Sequence, residues 1–150
     1  MKSNRNLVLL ASLTLFFGIY EDGFSESYPP DLKIEAESFA LLPEERPVEH
    51  LMVTADGRGR YTKSPDHPGP LLEDLEFTLT RTQLETVWHI IQKEGFFHLQ
   101  PQYFNKNVSD GGETRLSIQA NGKTYNLSLP NTFEKHSEAV LQAINAMTPG

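Results

Sequence analysis

Side chains able to do acid–base, nucleophilic or metal chemistry are present in this chain but scattered. There are five histidines, His50, His67, His89, His98 and His136, and no cysteine. No histidine stands three or four positions from another, so no single helical turn offers two imidazoles to a zinc ion, and thiolate ligands are excluded. Oxygen donors cluster at Asn105, Asn107, Ser109, Asp110 and Glu113, around Gly111-Gly112. The alternation resembles a calcium loop. An EF-hand loop begun at Asn105, however, requires glycine where Asp110 stands and glutamate where Leu116 stands. The segment therefore reads as a glycine-rich turn entering a strand, with Asp110 bonding its own backbone. No metal or cofactor is expected.

Nucleophile motifs are equally scarce. The chain has no Gly-x-Ser-x-Gly elbow, no Ser-x-x-Lys, no glycine-rich phosphate loop and no His-Glu-x-x-His. Adjacent carboxylates such as Glu73-Asp74 are surface neighbours. The enzymatic alternative is a hydrolase assembled from dispersed carboxylates and histidines. Arg58, Arg60 and Lys63 form a basic tip, with Arg58 and Arg60 on one side of a strand. The expectation there is a charged, solvated strand edge that discourages edge-to-edge pairing; the sharper reading is a cradle for a carboxylate or anionic sugar. Asn107-Val108-Ser109 and Asn126-Leu127-Ser128 match the N-glycosylation acceptor pattern, which counts only on a eukaryotic secretory route.

The elements that position these side chains are more legible. Leu32, Ile34 and Ala36 alternate with charged residues, as in a strand with one face buried. Pro43 and Pro47 bracket an acidic linker. Two extended runs flank Asp56-Gly57, a two-residue hairpin signal. Ser64 to Pro70 holds three prolines and is a loop. Leu75, Phe77 and Leu79 alternate again. A helix follows, with Thr80-x-x-Gln83 and Thr82-x-x-Glu85 as rival capping boxes. Leu84, Val87, Trp88 and Ile91 form its apolar stripe, and Gly95 ends it.

Asn121-Gly122 is the strongest turn signal. Folding there pairs Leu116 with Leu127 and Ile118 with Tyr125 on one face. Arg115, Ser117, Gln119, Thr124, Asn126 and Ser128 fall on the other. A slip of one residue would expose the whole apolar set, so the register is strongly specified. Asn131-x-x-Glu134 is expected to cap a last helix whose stripe is Phe133, Val140, Leu141, Ile144 and Met147. The order predicts an α+β fold: an antiparallel sheet with two helices packed on one face, a two-layer sandwich. The polar outer face of the hairpin is then the candidate partner surface.

The first residues carry an address. Lys2 and Arg5 precede an apolar run from Leu7 to Tyr20, followed by an acidic, small-residue stretch to Ser27. Charge, apolar run and small polar residues is the layout of a secretory signal, and the run is short for a stable membrane span. The reading is a signal peptide or uncut N-terminal anchor over residues 1–27 and one domain over 28–150. With an anchor, the chain becomes a membrane-held structural envelope protein. An exported chain without disulfides fits a bacterial periplasmic or secreted protein. The formal net charge of −7 repels phosphate backbones, so nucleic acid is not an expected partner.

Asp56-Gly57 followed by Tyr61, a helix ending in Gly95-Phe96-Phe97-x-Leu99, then Tyr103, Asp110-Gly111, Gly122-Lys123 and a closing amphipathic helix form a pattern. From about Val53 onward the chain thereby resembles a loosely defined group of uncharacterised small exported bacterial domains. The resemblance implies this element order and an exported address, and transfers no activity. The functional expectation is a non-enzymatic binding module for an envelope protein or glycan.

Overall fold

The computed structural model describes residues 27–40, 47–103, 107, 112–132 and 134–148. Residues 1–26 of the leader, Glu44-Glu45-Arg46 of the acidic linker, Asn105, Ser109, Asp110, Gly111 and Phe133 lie outside the described residues. The chain runs β1 (Lys33–Ala40), β2 (Val48–Thr54), β3 (Arg58–Ser64), β4 (Glu73–Thr78), α1 (Arg81–Lys93), β5 (Gly112–Ala120), β6 (Lys123–Pro130) and α2 (Lys135–Asn145). The strands form one six-stranded antiparallel sheet in the order β4-β3-β2-β1-β5-β6. An α+β fold is thus established. No helix among the described residues is long and apolar enough to cross a membrane.

Each local signal has a visible cause. At Asp56-Gly57, Thr54 Oγ1 donates to Asp56 Oδ1 at 2.6 Å, and Arg58 N–H donates to the same oxygen at 3.2 Å. The hydrogen bonds from Thr54 and Arg58 pull the Asp56 carboxyl down to about 2. Gly57 has φ +84°, and a Cβ there would collide with the Leu79 carbonyl, so the turn needs glycine. At α1, Thr80 wins over Thr82 as the cap. Its Oγ1 accepts from Gln83 N–H at 3.2 Å, while Gln83 Oε1 accepts from Thr80 N–H at 2.8 Å. Gly95 closes α1 with φ +64°.

The β5–β6 register is the predicted one: Leu116 opposes Leu127, Ile118 opposes Tyr125, and Ser117 opposes Asn126. Strand β1 sits between β2 and β5, so Ile34 meets Val53 on one side and Ile118 on the other. The buried residues Ile34, Val53, Leu116, Ile118 and Leu127 of the sheet belong to one hydrophobic cluster with Leu84, Val87, Trp88 and Ile91 of α1 and Val140 and Ile144 of α2. Trp88 and Phe97 have ring centroids 5.8 Å apart, and Phe97 lies 4.5 Å from Tyr125. At the sheet's flank, Gly59 leaves the space that the Phe77 ring fills.

Two expectations need correcting. Glu134, not Asn131, caps α2, its Oε2 accepting from Ser137 N–H at 2.8 Å. Asn131 instead turns the chain out of β6 with φ +54°, and its N–H donates to the Gly112 carbonyl. The second correction concerns Arg58 and Arg60. They do not lie on a sheet edge, because β4 pairs with β3 along its length.

Candidate functional site

Side chains alternate along a strand, so the register writes out the outer sheet face row by row. One row reads Asp74, Thr62, His50, Glu37, Arg115 and Ser128. The next reads Glu76, Arg60, Met52, Glu35, Ser117 and Asn126. A third ends in Lys33, Gln119 and Thr124. None of these residues is buried. The six residues expected from the sequence, Arg115, Ser117, Gln119, Thr124, Asn126 and Ser128, therefore share one accessible face.

Their environments divide them. Arg115 is held: its Nε–H donates to Glu113 Oε1 at 2.8 Å and its Nη2 to Oε2 at 3.2 Å. The guanidinium carbon lies 4.7 Å from the centroid of the Phe39 ring, a cation–π contact. Ser128 Oγ donates to Glu113 Oε1 at 2.8 Å. Hydrogen bonds from Arg115 first, then from Ser128, keep the Glu113 carboxyl below its ordinary value despite partial burial. The Gln119 side chain helps to hold the Asp31 carboxyl below its ordinary value, behind the larger effect of the Gly122 N–H. Ser117, Thr124 and Asn126, by contrast, make no side-chain hydrogen bond among the described residues.

A cleft of about 440 Å³ crosses this face. Ser117, Asn126, Ser128 and Arg115 line it, joined by Glu35, Glu37, His50 and Pro101. Gln119 and Thr124 lie beyond its rim. The face is thus grooved, and the cleft's volume falls within the range of small-ligand sites. Glu35, Glu37 and His50 escaped the sequence reading. The alternation of β1 places both glutamates on a solvent face, but nothing local shows that β5 is its neighbour. Pro101 reaches the cleft because Ser128 N–H bonds its carbonyl at 2.9 Å and Tyr103 N–H bonds the Ser128 carbonyl at 3.1 Å. The cleft offers hydroxyl and amide donors, carboxylate acceptors and one pre-oriented guanidinium, a set suited to polar recognition.

The other candidates are dispersed. Arg60 makes two bonds of 2.8 Å to Asp74, and Arg58 Nε donates to Asp56 at 2.6 Å. Both arginines are thus neutralised within the sheet. His67 pairs with Asp66 at 3.0 Å, and His136 Nδ1 lies 2.8 Å from Glu94 Oε2, linking the start of α2 to the end of α1. Among the described residues, no group of three or more His, Asp or Glu is placed to hold a metal ion. A second groove of about 510 Å³ lies between α2 and the sheet, lined by Glu49, Tyr61, Glu138 and Gln142 among others. Burial first, then the nearby Glu49, pushes the Tyr61 hydroxyl above its ordinary value.

In comparisons with known proteins, no family model matches the chain, and no curated protein matches it either.

Proposed function

We propose that the chain is an exported, non-enzymatic binding module of the bacterial envelope or extracellular space, and that it holds a protein or glycan partner on the outer sheet face. In this reading both helices cover the inner face as one layer of a two-layer sandwich, leaving the outer face for a partner. The observation that carries it is the pair Ser117 and Asn126. They oppose each other in the hairpin and line the cleft, and their side chains have no internal hydrogen-bond partner among the described residues. Exposed polar groups without internal partners keep their hydrogen-bonding capacity for a ligand or bridging water. The exported address rests on the charge and apolar layout of residues 1–27.

The test uses the full chain and its variant Ser117→Trp/Asn126→Trp, with panels of immobilised envelope glycans and envelope proteins. Both side chains point away from the core, so the thermal midpoint should stay within a few degrees, while affinity for the cognate partner drops roughly tenfold or more. A partner bound equally by both chains would refute this face as the site.

A further inference from the structure

The two edges of the sheet are treated differently. Beyond β6 the chain covers its own edge, with Gln102 bridging to Ser128, whose N–H donates to the Pro101 carbonyl and whose carbonyl accepts from Tyr103 N–H. Beyond β4 no strand follows among the described residues. The bond from Leu79 N–H to the Gly57 carbonyl, 2.7 Å, continues the β3–β4 register, in which Gly59 opposes Phe77 and Tyr61 opposes Leu75. Antiparallel pairs alternate between bonded and non-bonded, so the backbone groups of Leu75 and Phe77 point to β3. Those of Asp74, Glu76 and Thr78 point outward.

The side chains at this edge are patterned as well. Leu75 and Phe77 are half-buried on the inner face, which leaves apolar surface that another strand would cover. Asp74 and Glu76 are exposed on the outer face, Asp74 paired with Arg60 and Glu76 carrying the charge left for a partner. Leu71 and Leu72, 47 % and 62 % exposed, lead directly into the strand. Pairing between two copies centred on Leu75 would set Asp74 of one against Glu76 of the other, and like charges directly opposed are destabilising. Self-pairing in that register is therefore disfavoured, while a cationic residue of a partner strand meets complementary charge at Glu76.

We propose that the β4 edge receives an extended segment of a partner protein as a seventh strand, with Lys or Arg opposite Glu76 and apolar residues opposite Leu75 and Phe77. Main-chain bonds to the outward groups supply affinity, and the alternation supplies specificity, as in other strand-addition complexes. This site is separate from the cleft on the outer face and does not depend on it.

The experiment titrates the full chain with three labelled peptides: alternating Lys-Val, its isomer with lysines and valines in two blocks, and alternating Glu-Val. The alternating basic peptide should bind at least roughly tenfold more tightly than its block isomer, since only the former satisfies both faces of a strand. Glu76→Pro removes an outward N–H while sparing the bonds to β3, a substitution edge strands tolerate, and should abolish that preference. Glu76→Lys keeps the backbone and should weaken the basic peptide while strengthening the acidic one. Equal binding of the two basic isomers, or no response to Glu76→Lys, would overturn the proposal. So would a dimer in sedimentation that Glu76→Pro dissociates, because the edge would then serve a second copy.

Discussion

Asp31 does at the residue scale what its neighbours in sequence do not announce. Its carboxylate accepts from the N–H groups of Asn121, at 2.9 Å, and Gly122, at 2.6 Å, clasping the start of the domain to the β5–β6 turn. The bond from Gly122 is the main cause holding its carboxyl below the ordinary value; desolvation opposes it, and the bond from Asn121 adds to the lowering. The folded state therefore binds this proton less readily than the unfolded chain. The clasp's contribution is complete above about pH 4 and is lost as the pH falls below that through the lowered folded value. Asp31→Asn should flatten the decline in urea midpoint over that acid range and lower the midpoint at neutral pH. A variant whose acid decline matches the parent would refute this role. The Asn-Gly turn itself was readable, because its two positions demand positive φ and the strands beside it alternate cleanly. Its ligand was not, since Asp31 lies 90 positions away in a proline-led lead-in, and no local pattern encodes a contact at that separation.

Capping separates two identical-looking motifs at the element scale. Thr80 and Thr82 each stand three residues before a Gln or Glu, yet only Thr80 makes the reciprocal bonds. Thr80→Ala should therefore cost about 1 kcal/mol in urea denaturation. Thr82→Ala, inside the first turn and exposed, should fall within about 0.5 kcal/mol of the parent. Equal costs would mean that the helix begins later than described. The same contrast explains the misplaced α2 cap. Asn131 fits the sequence pattern for a cap, but the chain uses its tolerance of left-handed backbone to leave β6, and Glu134 then supplies the capping oxygen. In the first hairpin, Gly59 stands on the inner side where the alternation calls for an apolar side chain. The ring of Phe77 from β4 occupies that space, a compensation visible only once β3 and β4 are paired.

For the molecule as a whole, the hydrophobic alternation was sufficient to anticipate the fold class and the buried faces of β1, β4, β5 and β6. It did not reveal strand order, and the site depends on strand order. The cleft exists because β1 inserts between β2 and β5, bringing Glu37 beside both His50 and Arg115. The proposed export makes a separate prediction: intact mass of the exported protein should correspond to a chain starting at Tyr28, and a mass retaining residues 1–27 would identify an uncut anchor instead. The outer face is where the partner sits in the proposed function. Met52 reports on that face directly, lying between Arg60 and Glu35 in the row that ends in Ser117 and Asn126, with a thioether readily oxidised where solvent reaches it. Hydroxyl-radical footprinting of the partner-bound chain against the free chain should show Met52 losing most of its oxidation while exposed residues of α1 and α2 keep theirs. Oxidation of Met52 unchanged by the partner, with protection confined to the helices, would contradict it.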